Sequence, residues 1–398
     1  MGGDTYAHAP MADAVSATVA LSRDKATVTA ASRGRYTALD AWRGIAAVTV
    51  VYGHQTGGMV SATRFIAFYL AVDFFFVLSG FVLAHRYWAE LARERKSFWP
   101  VVVARFARLY PAHVFVLIAL AVAYVIEAVP ALLGGASFSN ALREVIPEQR
   151  GGGRLWTFGL NLLLLHNVGL TPGGLTWNAP SWTISVEFFG SLAILGLLAV
   201  WRWRGIRAVL AAISIVGYSF VFWHLGQLDA SFETVGYLVN LGLLRCLAGV
   251  ALGVLCLLFV RRYLARETIG VTPATALELI ALVTVLAIMI RPEYHSPWDA
   301  AFPLAFAVLV VVFALEAGLV TRLLQLPPLL YLGSLSYAIY LVHWPLLFVM
   351  QEQYGLRPLL YYPAVLAGAV ITHHAVEVPA RRWLMRPRTH QMSPTEAH

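Results

Sequence analysis

Apolar stretches long enough to cross a membrane recur along most of this chain, and no other feature restricts its fold as strongly. About 20 apolar residues in an α-helix cross a hydrocarbon layer about 30 Å thick. The pattern therefore predicts an all-α, polytopic membrane bundle of about ten transmembrane helices. The predicted spans are 42–60, 66–86, 110–129, 182–201, 207–224, 237–260, 274–290, 299–317, 328–350 and 358–376.

The composition agrees with a lipid environment. Of the 398 residues, 59% are hydrophobic and only 13% are charged, whereas a soluble domain carries about 25% charged residues. Cys246 and Cys256 lie in one apolar run, so neither a disulfide framework nor a cysteine metal site is predicted. His373 and His374 are adjacent and point apart on a helix, so we expect no metal there either.

The distribution of basic residues predicts the orientation. With the N-terminus in the cytoplasm, most Lys and Arg residues fall in cytoplasmic segments, including 202–207, 261–266 and 381–388. If the short apolar stretch 155–168 crossed the membrane, these three clusters would lie outside. We therefore predict that 155–168 is an interfacial or re-entrant helix, and that both termini of this multi-pass plasma (inner) membrane protein are cytoplasmic. Basic residues divided among loops in this way argue against nucleic-acid binding.

Three regions are predicted. Residues 1–35 are rich in Ala, Ser, Thr and Gly and have no apolar run of signal-peptide length, which indicates a disordered cytoplasmic tail. The transmembrane domain occupies 36–384, and 385–398 forms a cytoplasmic C-terminal tail.

Ionisable residues inside the predicted spans are candidates for function, because each costs roughly 2.5–3.5 kcal/mol on insertion scales. Arg43 and His54 share one face of the first span, 11 residues apart, which is about 16 Å along a helix. The first span could thus carry a fixed cation near its cytoplasmic end and an imidazole deep in the membrane. The alternative is an arginine that only orients the helix and a core histidine with a satisfied hydrogen bond.

Asp73 and Glu187 are carboxylates in the second and fourth spans and need partners at that depth. For Asp73 the partner is either His54 or an arginine, so structural pairing and catalytic orientation both remain open. Arg105 and Arg108 lie one helical turn apart just before the third span. They could clamp phosphate groups through bidentate contacts or serve as a cytoplasmic anchor.

One further span carries a polar stripe. Ser336, Tyr340 and His343 recur on one helix face, with Tyr337 beside them. Such a stripe indicates either a polar interior or hydrogen bonds between helices.

Several motifs in chain order resemble the membrane acyltransferase-3 family. They are LDAWRGIAAVTVVYGH, VDFFFVLSGFVLAHRY, RFARLYP, SWTISVEFF, LSYAIYLVHWP and HHAVEVPARRWL, and they extend from about Leu39 to Leu384. Members of this family move acyl groups from acyl-coenzyme A (acyl-CoA) to sugars and other hydroxyl acceptors. The terminal motif departs from the family's usual VEKPFRRW, since Val378 and Ala380 flank Pro379, and this leaves the role of Glu377 open.

The resemblance implies a set of roles. The chain would be an O-acyltransferase that uses acyl-CoA, with acetyl-CoA as the expected donor and no metal. The expected acceptor is a hydroxyl of a carbohydrate, a glycolipid or a small molecule. His54 would be the general base and Asp73 or Glu187 its orienting partner. Arg43, Arg105 and Arg108 would bind the donor, and Tyr337, Tyr340 and His343 the substrate.

Two other classes of protein remain as alternatives. A secondary transporter would also explain intramembrane charge, but it typically has helices broken at matching places in two halves, and the sequence has no such pattern. A non-catalytic membrane scaffold or receptor would differ in not consuming acyl-CoA. The sequence does not identify the acceptor, the acyl chain length or the oligomeric state.

Overall fold

The computed structural model describes residues 35–92, 97–146, 155–170, 177–200, 205–235, 239–264, 269–353 and 358–386. The two predicted tails therefore lie almost entirely outside the described residues. Helices dominate the described part, as the sequence predicts. In chain order the α-helices are α1 (Thr37–Thr56), α2 (Ala71–Ala92), α3 (Trp99–Leu133), α4 (Phe138–Val145), α5 (Leu155–Leu162), α6 (Trp182–Val200), α7 (Ile206–Leu225), α8 (Leu241–Phe259), α9 (Val271–Met289), α10 (Phe302–Phe313), α11 (Leu319–Leu324), α12 (Pro327–Leu347), α13 (Pro358–Thr372) and α14 (Val378–Leu384).

Short elements extend or connect these helices. Single 3₁₀ turns precede α2, α6 and α10, at Phe68–Leu70, Ala179–Ser181 and Pro297–Ala301. Wider π-helical turns follow α8, α12 and α13, at Val260–Leu264, Phe348–Gln353 and His373–Glu377. The strands are β1 (Met59–Ser61), β2 (Arg64–Ile66), β3 (Thr234–Val235), β4 (Val239–Asn240) and β5 (Ile290–Arg291).

The prediction of an all-α polytopic membrane protein is confirmed, but the number ten is not. Among the described residues, eight helices are long and apolar enough to cross a membrane. Helix α1 is not one of them, and it carries the polar residues Asp40, Arg43 and His54. The apolar helix Pro297–Phe313 is shorter than a full span. The eight helices are Phe68–Trp88, Trp99–Leu133, Ala179–Val200, Ile206–Leu225, Leu241–Leu264, Val271–Met289, Pro327–Met350 and Leu359–Leu384.

The stretch 155–168 does not form a full-length transmembrane helix. Its α-helix, α5, has eight residues, which span about 12 Å, and the chain then turns at Leu164 with φ 60°. Helices α1 and α12 run in the same direction, because Arg43 contacts Ser336 near their beginnings and His54 contacts His343 near their ends. One extra crossing at 155–168 in the predicted order would make these helices antiparallel.

Glycines allow two helix pairs to pack closely, as is common at membrane helix interfaces. A Cβ added at Gly253 of α8 would lie 1.9 Å from the Val77 carbonyl oxygen of α2. A Cβ at Gly333 of α12 would lie 2.1 Å from the Asp40 carbonyl oxygen of α1. The second contact brings the Arg43 side chain against α12.

Loops at one end of the bundle are joined by a small sheet. We call the end at which α1 begins the proximal end and the end at which it finishes the distal end. The β1–β2 hairpin follows α1, and β2 pairs antiparallel with β5, which follows α9. The buried Arg291 of β5 also forms an ion pair with Asp299 at 2.6 Å. Asp299 also accepts from the Leu228 N–H in the loop after α7. These contacts place the loops after α1, α7 and α9 around a common distal surface.

Candidate active site

His54 and His343 form a hydrogen-bonded pair across α1 and α12. His54 Nδ1 lies 3.0 Å from His343 Nε2, and the two rings are nearly parallel. His343 Nδ1 lies 2.8 Å from the Tyr340 carbonyl oxygen, which can only accept, so Nδ1 carries the proton there. In a neutral pair, His343 Nε2 then accepts a hydrogen bond from His54 Nδ1–H. The remaining nitrogen of His54, Nε2, therefore has a free lone pair, as a general base requires.

A cavity of about 230 Å³ lies beside His54 near the distal end. It is mostly aromatic, and its polar groups include the hydroxyl of Tyr340 and the carboxylate of Asp229. The Tyr340 hydroxyl lies 3.1 Å from that of Thr183. The cavity is lined by Val50, His54, Phe68, Tyr69, Val72, Ala179, Pro180, Trp182, Asp229, Ser231, Phe232, Tyr294, Tyr340 and Trp344.

Arg43 is held against α12 about three helical turns from His54 along α1. Its Nε donates to the Ser336 hydroxyl at 3.0 Å, and its NH2 donates to the Gly333 carbonyl at 3.0 Å. Asp40 lies 3.4 Å from its NH1. The predicted separation of Arg43 and His54, about 16 Å along the axis, therefore applies, since α1 is continuous from Thr37 to Thr56.

Arg105 and Arg108 of α3 lie in the same cationic region as Arg43. Arg105 donates to Glu187 at 2.8 Å, while its Nε is buried without a hydrogen-bond partner among the described residues. The charged neighbours of Arg108 include the cations Arg43 and Arg105 and the carboxylates Glu377 and Glu187. We name Arg43, Arg105 and Arg108 the arginine cluster. Its acidic neighbours are Asp40, Glu187 and Glu377.

The structure gives neither carboxylate a direct contact with His54, contrary to the sequence expectation. Asp73 is fully buried and pairs with Arg245 of α8, with 2.6 Å between Oδ2 and NH2. It also accepts from the Tyr218 hydroxyl at 3.1 Å. Of the two partners considered for Asp73, the arginine is thus the one observed, because a buried carboxylate needs a full opposite charge.

Glu187 is engaged elsewhere in the same way. Besides Arg105, its Oε1 accepts from the Ser79 hydroxyl at 2.9 Å. Glu187 therefore belongs with the arginine cluster, where it can orient Arg105, and His343 takes the position beside His54 that was expected of a carboxylate.

The three residues expected to bind substrate are placed differently from one another. Tyr340 lines the cavity. His343 is hydrogen-bonded to His54 and is not among the residues that line the cavity. The Tyr337 hydroxyl donates to the Leu109 carbonyl, and its charged neighbours include Arg105 and Arg108. Tyr337 is therefore next to the arginine cluster and does not line the cavity.

Sequence reasoning missed two residues that shape this region. Arg245 lies inside the predicted span 237–260, and a single arginine in an apolar helix indicates a nearby acid. Asp229 lies in a distal loop, where its sequence neighbourhood gives no signal. Within the described ranges, no group of three or more His, Cys, Asp or Glu side chains could hold a metal ion.

Comparison with known proteins identifies the family. A family model described as an acyltransferase domain matches residues 36–372. The chain belongs to the membrane acyltransferase-3 family. The prediction of an acyltransferase is therefore confirmed at the level of the family, and the transporter alternative is not supported.

Individual relatives agree with this assignment. The acyltransferase MdmB of Streptomyces mycarofaciens is 27% identical over 363 residues, covering 82% of this chain and 84% of MdmB. The O-acetyltransferase OatA of Staphylococcus aureus is 24% identical over 365 residues, which are 86% of this chain but 57% of OatA. Protein 2 in picA locus of Rhizobium radiobacter is 47% identical over 94 residues. This match covers 23% of this chain and about half of that protein.

Proposed function

We propose that this protein is a membrane O-acyltransferase that transfers an acyl group, with acetyl as the first candidate, from acyl-CoA to a hydroxyl. The acceptor would be a carbohydrate, a glycolipid or a small molecule. The observation that carries the proposal is the His54–His343 pair, which leaves a free imidazole lone pair on a residue that lines a cavity. The arginine cluster on α1 and α3 supports a phosphorylated donor.

The reaction uses His54 as the general base. His54 Nε2 accepts the proton of the acceptor hydroxyl while the hydroxyl oxygen attacks the thioester carbonyl carbon. The carbon–sulfur bond of the resulting oxyanion then breaks, and the coenzyme A thiolate takes the proton back from His54. The products are an ester and free coenzyme A. A positioned base of this kind contributes roughly 10²- to 10⁴-fold in rate.

His343 positions His54 for this step. Its Nδ1–H is fixed by the Tyr340 carbonyl, so its Nε2 holds the proton on His54 Nδ1 and leaves Nε2 of His54 free. The role corresponds to that of the aspartate in a serine-protease triad, which keeps the catalytic histidine in the correct tautomer.

The arginine cluster is proposed to bind the phosphates of the donor. Guanidinium groups match phosphate oxygens in bidentate geometry, and Arg105 Nε is buried without a partner among the described residues. The offset of about 16 Å along α1 between Arg43 and His54 leaves room for the pantetheine arm. We propose cytoplasmic termini in the plasma membrane, so that the donor enters proximally and the acceptor reaches the cavity from the distal side.

The test is acyl transfer by the His54→Gln variant beside a donor-binding assay on the same purified sample. Glutamine can still donate a hydrogen bond to His343 but cannot serve as the base, so we expect transfer to fall by roughly 10²- to 10⁴-fold with acetyl-CoA binding unchanged. His224→Gln is the matched control, since His224 is an exposed histidine near the end of α7, outside the cavity. Activity within a few-fold of wild type would eliminate His54 as the base.

A further inference from the structure

Asp229 is the only carboxylate among the side chains that line the cavity beside His54, judged over the residues that the structure describes. It lies in the loop after α7, between Leu228 and Ala230, whose backbones are buried against Asp299 and Arg245. The other walls are mainly aromatic: Phe68, Tyr69, Trp182, Phe232, Tyr294, Tyr340 and Trp344. A single negative charge thus faces a cavity lined mostly by ring surfaces.

The Asp229 carboxylate is only partly balanced by the protein. Its Oδ2 lies 3.1 Å from His295 Nε2, and the Asp229 side chain is 26% exposed. Its Oδ1 makes no hydrogen bond to any described residue. Burial, with a smaller contribution from Asp229, raises the pKa of Tyr294 above its ordinary value. The negative charge of Asp229 therefore acts on the ring surface that lines the cavity.

The two neighbouring arginines direct their hydrogen bonds to groups other than Asp229. Arg245 directs its donors to the Asp73 carboxylate and to the carbonyls of Tyr69 and Ala230. Arg291 is paired with Asp299 and with the Tyr69 hydroxyl. Among the described residues, the Asp229 carboxylate at the distal rim of the cavity therefore has no direct contact with an arginine.

This combination of groups favours a cation. Aromatic faces attract ammonium groups through their negative quadrupole, and a carboxylate adds a charge-assisted hydrogen bond. The volume of about 230 Å³ lies below the range of roughly 300–1,000 Å³ typical of drug-sized ligands. The cavity therefore suits one ring-sized portion of an acceptor, with the rest of the molecule outside.

We infer that the acceptor is an amine-bearing alcohol, such as an amino-sugar residue, whose ammonium group binds Asp229 and whose neighbouring hydroxyl faces His54. Asp229 is then a specificity-determining residue, and the inference rests on the proposed function for its choice of an alcohol. A neutral sugar that donates hydroxyl hydrogens to the same carboxylate is the competing occupant. The two occupants differ in their need for the charge of Asp229.

The experiment measures binding separately from transfer. Methyl glucoside and its 2-amino and 6-amino derivatives are titrated into the full-length purified protein, with fluorescence of the cavity tryptophans as the readout. We expect an aminated probe to bind at least about tenfold tighter than methyl glucoside, as a hydrogen bond to a charged group allows. Asp229→Asn should abolish this preference, because it should weaken binding of the aminated probes much more than binding of methyl glucoside, while Asp229→Glu should restore part of the preference.

Controls separate this inference from the proposed function. Glu293→Gln removes the same charge from an exposed distal site outside the cavity and should preserve the preference. Equal binding of all probes by the wild type, or equal weakening of all probes in Asp229→Asn, would overturn the inference. Transfer from acetyl-CoA is measured in parallel. Its absence with the amine preference intact would count against the proposed reaction and in favour of a cation site at Asp229.

Discussion

The ion pair between Asp73 and Arg245 allows a quantitative test of whether Asp73 is structural or catalytic. Both side chains are completely buried. The Arg245 guanidinium contacts Asp73 through Nε and NH2, at 3.0 and 2.6 Å, and also donates to the carbonyls of Tyr69 and Ala230. Replacing Arg245 by Gln would leave the Asp73 carboxylate with the Tyr218 hydroxyl as its remaining partner.

The expected loss of stability is large. Removing one partner of a buried pair costs about 3–5 kcal/mol, because the other charge stays buried and uncompensated. Typical domains have a total free energy of unfolding of about 5–15 kcal/mol. Asp73→Asn should also destabilise the protein, because it leaves the Arg245 charge unpaired. The double variant, Asp73→Asn with Arg245→Gln, removes both charges, so it should cost less than the sum of the two single changes.

The assay combines the thermal midpoint of unfolding in detergent with acyl transfer per folded molecule at low temperature. We expect a lowered midpoint in both single variants, partial recovery in the double variant, and near-normal activity of the molecules that remain folded. An Asp73→Asn variant with a wild-type midpoint and no activity would refute this reasoning. It would return Asp73 to the catalytic role expected from the sequence.

Three further predictions follow from the arginine cluster, the topology and the helix packing. Replacing both Arg105 and Arg108 by Ala should raise the KM for acyl-CoA much more than it changes the amount of inserted protein. Reporter fusions after Arg207 and after Arg266 should both report cytoplasm. Gly253→Ala should destabilise the protein by about 1–3 kcal/mol, as overpacking does, because its Cβ would lie 1.9 Å from the Val77 carbonyl oxygen.

Each of these predictions has a contrary outcome. An unchanged KM with normal accumulation would make Arg105 and Arg108 anchors of the chain. A periplasmic signal from either fusion would contradict the orientation inferred from the basic residues. Gly159→Ala is the packing control, since nothing lies within 4 Å of its added Cβ. Equal effects of Gly159→Ala and Gly253→Ala would argue against close contact between α2 and α8.

The helices were predictable because membrane insertion is governed by local composition. Each predicted span depends on about 20 consecutive residues, and the stretch 155–168, which is shorter, contains an α-helix of only eight residues. The close packing of α2 on α8 also has a local signal in the sequence. Gly249 and Gly253 form a GxxxG motif in an apolar helix, which typically marks a helix–helix contact.

The side-chain partners were not predictable in this way. His54 and His343 are 289 residues apart, and Asp73 and Arg245 are 172 apart. Sequence spacing places polar residues on a helix face, but it does not decide which helices face each other. Asp73 could therefore have paired with His54 or with an arginine, and only the packing of α2 against α8 decides for Arg245.

The distribution of charge in the bundle explains why a histidine, instead of a carboxylate, stands beside His54. An isolated buried ion is costly, and here Asp73 and Glu187 are each bound by an arginine. Carboxylates bound in this way are poor proton acceptors. A neutral His54–His343 pair has no comparable burial penalty, and in the proposed reaction a charge would arise only while His54 holds the acceptor's proton. Among the described residues that line the cavity, we therefore propose His54 as the group that activates a hydroxyl and Asp229 as the charge that selects the molecule presenting it.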